Sequence, residues 1–168
     1  PDIPINDNNI DLGIFTDQTN ISKQGKASIG ETFAYYFNIE GNNKLYPQFD
    51  LYGFKDDLDL SLYEWDATSG FYKTLQTSAG PETEEEWIFK VLDSGDYKLN
   101  VYNYGDYYGS LDNSGTGSNY NLELDAETWL STVKLPNDPL FDKQWHLFNQ
   151  GQGTGFDNVD IYAPEAWG

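Results

Sequence analysis

Between residues 10 and 124 the chain breaks into short runs in which β-branched and aromatic residues alternate with polar ones. The runs are Ile10–Phe15, Thr32–Ile39, Gln48–Phe54, Asp59–Trp65, Tyr72–Gln76, Glu86–Val91, Gly95–Tyr104 and Ser118–Leu124. Each is bounded by Gly, Asn, Asp, Pro or Ser, the residues that make turns. From Tyr97 onward the alternation puts Tyr97, Leu99 and Val101 on one side and Lys98, Asn100 and Tyr102 on the other. Leu58, Leu60 and Leu62 alternate in the same way with Asp57, Asp59 and Ser61. About eight short strands at regular spacing predict an all-β fold, an antiparallel jelly-roll-like β-sandwich. No helix of more than two turns is expected before Ala126. Residues 1–9 are turn-rich and read as an N-terminal arm, leaving 10–129 for the sandwich.

The pattern changes near Trp129. Residues 130–136 read as a linker, and 137–168 as an irregular extension rich in Gly and Pro. The last residues, Ala163-Pro164-Glu165-Ala166-Trp167-Gly168, have the character of a helix start. Pro164 suits the first turn, Glu165 complements the positive helix end, and Ala166 is a strong helix former. A helix of one turn is not stable alone, so the natural protein is expected to continue.

Composition narrows the partners. Twenty-eight acidic residues against nine basic ones give a formal net charge of −19. Such a field repels phosphate backbones and anionic membrane surfaces, which argues against nucleic acid and membrane as partners. It favours cations, diffuse or bound. There is no Cys, hence no disulfide framework, and no Met. A chain without an initiating Met reads as a processed or excised fragment. No apolar run approaches the roughly 20 residues that span a bilayer. The aromatic fraction of 17%, including 13 Tyr, suits half-buried sheet surfaces.

Three segments resemble the bacterial pre-peptidase C-terminal (PPC) domain. They are Asp57-Leu58-Asp59-Leu60-Ser61-Leu62-Tyr63, then Ser94–Tyr102 (SGDYKLNVY), then Asn119-Tyr120-Asn121-Leu122-Glu123-Leu124. The resemblance implies a small jelly-roll sandwich attached to a secreted protease, of the kind that includes collagenase collagen-binding domains. A second string, Leu135–Phe141 (LPNDPLF), Gln144-Trp145-His146-Leu147, Asn149-Gln150-Gly151-Gln152 and Ile161–Trp167 (IYAPEAW), resembles the start of a subtilisin-like catalytic domain of the kexin-like, calcium-dependent branch. It implies that a catalytic Asp, His and Ser follow beyond Gly168, that 137–168 is the truncated start of that domain, and that the catalytic domain is this module's partner. A secreted, extracellular or periplasmic, bacterial location follows from the same resemblance. His146 is the chain's one histidine. No nucleophile elbow accompanies it, and in the resembling family its position is structural. No catalytic residue is assigned, and the fragment is expected not to be an enzyme.

Calcium is the candidate cofactor, because it takes six to eight oxygens and needs neither nitrogen nor sulfur. Two clusters offer oxygens: the arm, through Asp7, Asn9 and Asp11 with Asn6 and Asn8, and the strand entry, through Asp56, Asp57 and Asp59. In a strand, Asp57 and Asp59 share a face. Collagen-binding modules resemble the first cluster in holding calcium near an acidic N-terminal arm, though this arm has Asn where Glu is expected. Neither cluster matches an EF-hand loop, and a solvated acidic face accounts for both equally. The run Glu82, Glu84, Glu85 and Glu86 reads as an exposed, solvated loop. Tyr102, Tyr104, Tyr107 and Tyr108 flank Gly105-Asp106 and are candidates for binding an extended protein or polysaccharide substrate. Lys134, the linker's one basic residue, is the candidate processing position.

Three functions fit these residues: an accessory or pro-region module of a secreted subtilisin-like protease, a calcium-dependent substrate-binding module, and a free-standing halophilic β protein.

Overall fold

The computed structural model describes residues 1, 3, 6–41, 44–80, 85–105 and 117–126. Nine strands fill most of them: β1 (Asn9–Phe15), β2 (Asn20–Ala27), β3 (Thr32–Ile39), β4 (Gln48–Tyr52), β5 (Asp57–Asp66), β6 (Phe71–Ser78), β7 (Glu85–Phe89), β8 (Gly95–Gly105) and β9 (Ser118–Asp125). There is no helix among the described residues. The strands form two sheets, one in the order β1-β3-β8-β5-β6 and the other β2-β9-β4-β7. The architecture is the all-β sandwich that the alternation predicts.

The apolar positions of each strand meet in one core. Leu58, Leu60 and Leu62 of β5, with Leu99 and Val101 of β8, are wholly buried, as are Phe49, Leu51, Leu122 and Leu124 of the second sheet. Period-two alternation does this automatically, since one face of each sheet must be apolar to leave water. Phe37 stacks on Phe15 and Tyr97 at centroid distances of 4.3 and 5.3 Å and meets Phe49 across the sandwich at 5.7 Å.

Two features depart from the expectation. The pairing is not wholly antiparallel, because β1 runs parallel to β3. Parallel neighbours need a crossover, and here β2, lying in the opposite sheet, supplies it. A bulge interrupts β1 between Asp11 and Ile14. There Gly13 adopts a left-handed φ of 77°, and its N–H donates to Asp11 Oδ1 at 2.8 Å.

The second departure is β2, a strand that the sequence hides. Its residues, NISKQGKA, offer one large apolar side chain, Ile21. The space beneath it is filled from the neighbouring strand: Gly25 lies opposite Tyr120 of β9, whose ring occupies the room a side chain at 25 needs. An aromatic ring laid over a cross-strand glycine is a known way to stabilise a sheet edge. Tyr120 in turn shares a 2.8 Å hydrogen bond with Tyr35 of the facing sheet, so one ring covers the edge and ties the two layers.

Candidate functional site

The outer face of the five-stranded sheet gathers the side chains that alternation turns away from the core. Along β8 these are Lys98, Asn100, Tyr102 and Tyr104. On β5 they are Asp57, Asp59, Ser61 and Tyr63, paired through Asp59 with Tyr102, Ser61 with Asn100, and Tyr63 with Lys98. The register therefore runs from an aromatic and cationic end, through a neutral amide, to an aromatic and acidic end.

At the first end, Lys98 Nζ stands 4.7 Å from the ring centroids of both Tyr63 and Tyr72. The ring faces attract the ammonium electrostatically. Burial lowers the Lys98 pKa from its ordinary value. Tyr72 packs edge-on against Trp65 and Tyr36, at 5.2 and 6.0 Å. At the other end the Tyr102 and Tyr104 rings meet in a T at 4.3 Å, with Tyr104 62% exposed. Two of the four candidate tyrosines thus form one surface pair, while Tyr107 and Tyr108 lie outside the described residues.

The strand-entry carboxylates separate into two environments. Asp56 turns into a hydrogen-bonded knot that closes the sandwich end. Its Oδ2 accepts Asn103 Nδ2 at 2.8 Å, and its N–H, with that of Lys55, donates to Ser118 Oγ at 3.3 and 2.8 Å. Asp57 and Asp59 share the outer face. Asp57 Oδ1 is buried and accepts no hydrogen bond from any described residue. Burial raises both pKa values. The Asp59 carboxyl is pushed up to about 6, first by desolvation and then by the charges of Asp57 and Glu86.

A carboxyl whose folded pKa lies above its unfolded one favours the native state only while protonated. Asp59 therefore lowers stability as pH rises from about 4 to about 6, and the cost is constant above that. The unscreened cost is about 3 kcal/mol; partial solvent access reduces it to about 1 kcal/mol. Asp59→Asn, which mimics the neutral form, is expected to melt a few degrees above the parent chain at pH 7.5 in chelator and level with it at pH 4. Equal melting temperatures at both pH values refute the assignment. Repeating the melts in calcium asks whether a cation offsets the same cost, since an ion bound to the native form raises stability by mass action.

In the arm, Asn6 Oδ1 accepts the Asn8 N–H at 2.9 Å, and Asn8 Nδ2 donates to Glu31 Oε1 at 2.9 Å. Glu31 also accepts the Ser28 N–H, which chiefly lowers its pKa. These bonds hold residues 6–9 against the start of β3. Asp7 and Asn9 line a cleft there with Lys98 and Asn100. Asp11 instead serves the β1 bulge. Among the described residues no three His, Cys, Asp or Glu side chains come together as a metal-holding group.

The acidic run near residue 85 is not uniformly solvated. Glu86 is buried and points between the sheets, opposite Leu51, where Ser78 Oγ donates to its Oε2 and the Gly80 N–H donates to its Oε1 at 3.1 Å. It links β6 to β7, and an inward-pointing charge on a sheet edge opposes edge-to-edge aggregation. Glu85 is exposed, as expected. Glu82, Glu84, Lys134, His146 and the 137–168 strip lie outside the described residues. Alternation puts Lys98 and Asn100 on the side opposite Tyr97, Leu99 and Val101 without marking them as site residues. Alternation was the available signal; their meeting with the arm is a tertiary fact.

No family model matches the chain. A 31-residue stretch, 18% of the chain, is 58% identical to neuroendocrine convertase 2 of mouse and of rat, and 55% identical to the human protein. The match spans 5% of each convertase. Among solved structures, the pre-peptidase C-terminal domain of collagenase from Bacillus anthracis superposes with a TM-score of 0.44 at 15% identity, over 70% of this chain and 94% of that one. PliG of Aeromonas hydrophila, a periplasmic inhibitor of g-type lysozyme, gives 0.41 at 13%, over 70% and 97%. Likeness of that degree says nothing of activity. No helix among the described residues is long and apolar enough to cross a membrane.

Proposed function

We propose that this chain is a non-catalytic accessory or pro-region module standing N-terminal to a secreted subtilisin-like serine endopeptidase. The observation that carries the reading is the 31-residue identity with neuroendocrine convertase 2. We take it to fall in the 135–168 strip, whose NDPLF…QWHL…NQGQ…APEAW string resembles the opening of a subtilisin-like catalytic domain. In this reading the sandwich folds as its own unit, the strip packs on a catalytic body that follows Gly168, and all three catalytic groups belong to that body. His146 acts in packing, and Lys134 is where proteolysis releases the module. The test is the coding sequence downstream of Gly168. It is expected to encode a strand ending in Asp, then the His and Ser motifs of a subtilisin-like site. A stop codon soon after Gly168, or an unrelated domain, overturns the reading.

A second reading is a calcium-dependent module that holds a protein or polysaccharide substrate. The Tyr102–Tyr104 pair, with Tyr104 exposed, favours it, since tyrosine offers contact area at low entropic cost with a polar tip. Asp57 and Asp59 are the residues that fit the cation best. They share a face, and one oxygen of Asp57 has no donor among the described residues. Bound calcium there favours the ionised carboxylates against the desolvation, and then the repulsion, that raise the Asp59 pKa. The two readings are compatible, because a module ahead of a protease also serves by docking its substrate.

A further inference from the structure

A cleft of about 480 Å³ opens on the outer face of the five-stranded sheet, lined by residues 6–9 and by side chains of β3 and β8. Its size falls in the range of small-molecule sites. Thr32, Ala34, Tyr36, Lys98 and Asn100 form the sheet side, and Asn6 and Asp7 stand in its arm wall. The Asn100 side-chain oxygen is buried and accepts no hydrogen bond from any described residue. Leaving such an acceptor unmet is costly, so a ligand that brings a donor to it recovers that loss. Lys98 Nζ has no carboxylate within 4.0 Å among the described residues, although the chain carries a net charge of −19. Its ammonium lies between two tyrosine rings and keeps hydrogen-bond donors for a partner.

We propose that this cleft is a subsite for a neutral oligosaccharide, held through Asn100, Lys98 and the amides of the arm. The inference rests on the substrate-binding reading above and names its ligand class. The ligand must donate to Asn100 Oδ1 and accept from Lys98 Nζ within one small cleft, and vicinal hydroxyls do both. An anionic ligand is opposed by Asp7 in the wall and by the whole-chain field. A peptide strand binds through main-chain bonds at a sheet edge. Here β3 and β8 are interior strands whose ladders are already made, so only side chains are on offer. Along β8, Lys98, Asn100, Tyr102 and Tyr104 follow one another on one face over about 20 Å at strand rise. A chain of sugars seated on Asn100 runs on past Tyr102 to the exposed Tyr104.

The experiment is calorimetric titration of the 168-residue chain in excess calcium with cellohexaose, mannohexaose and chitohexaose, and separately with a triple-helical collagen-model peptide. At least one hexasaccharide is expected to bind, and Asn100→Ala and Lys98→Gln are each expected to weaken it tenfold or more. Circular dichroism and melting confirm that each variant is folded; Lys98→Gln keeps the test open if Asn100→Ala is not. Hexasaccharide binding that neither folded variant alters overturns the subsite. Binding of the collagen peptide alone overturns the sugar assignment and leaves substrate binding standing. No binding of any of the four ligands removes both.

Discussion

Asn103→Leu is expected to lower unfolding stability by about 3–5 kcal/mol, because a side chain of similar size strands three hydrogen-bonding groups at once. Asn103 is fully buried on β8. Its Nδ2 donates to Ala27 O at the end of β2 and to Asp56 Oδ2 before β5, each at 2.8 Å. Its Oδ1 accepts the Gly105 N–H at 2.7 Å. Its main chain adds two more bonds, to Gly30 and Glu31. One amide therefore joins both sheets to the two loops that close this end of the sandwich. Leucine preserves volume, so the loss reports the unmet amide, carbonyl and carboxylate rather than a cavity. Urea unfolding at pH 7 measures it through the midpoint at constant slope. A loss under 1 kcal/mol shows that the knot is a consequence of the fold rather than a support for it.

That knot also explains what the sequence lets a reader see. Alternation revealed Leu58, Leu60 and Leu62 and placed Tyr97, Leu99 and Val101 on the buried side, because a sheet with one wet face writes its period into the chain. Eight of the nine strands are visible in that way, with ends displaced by no more than two residues. Asn103 falls on the buried parity of β8, yet nothing local marks it as the partner of Ala27, which is 76 residues away. Asp56, Asp57 and Asp59 look like one acidic cluster in sequence. The bend into β5 sends Asp56 to the knot and leaves Asp57 and Asp59 on the outer face. Glu86 looked like one more solvated charge in an acidic run, but parity with Ile88 turns it inward, where Ser78 and Gly80 receive it. Parallel pairing of β1 with β3 depends on which sheet β2 joins, and no local pattern encodes that choice. Alternation sets Lys98 and Asn100 opposite Tyr97, Leu99 and Val101, and the fold makes that side the outer face. Only the placing of residues 6–9 beside β3 brings them into one cleft.

The strand missed altogether, β2, points to the second large effect. Gly25→Ala is expected to cost about 2–3 kcal/mol, the range for forcing extra volume into a packed interior. A methyl at position 25 would stand 2.2 Å from Tyr120 Cζ and 2.3 Å from its hydroxyl oxygen. Tyr120 has no free space to move into. Its ring is 2% exposed and packs against Phe33 with centroids 6.0 Å apart, and its hydroxyl is tied to Tyr35. Any displacement that relieves the contact also lengthens the hydrogen bond between the sheets and pulls β9 from the β2 register. Alanine is ordinarily a better strand residue than glycine, so local propensity predicts the opposite sign. A double-mutant cycle with Tyr120→Leu separates the two accounts. If the ring is the obstacle, Gly25→Ala costs far less in the Tyr120→Leu background, giving a coupling energy above 1 kcal/mol. Additive losses mean that β2 tolerates a side chain at 25 and that the ring is not what holds the edge in place.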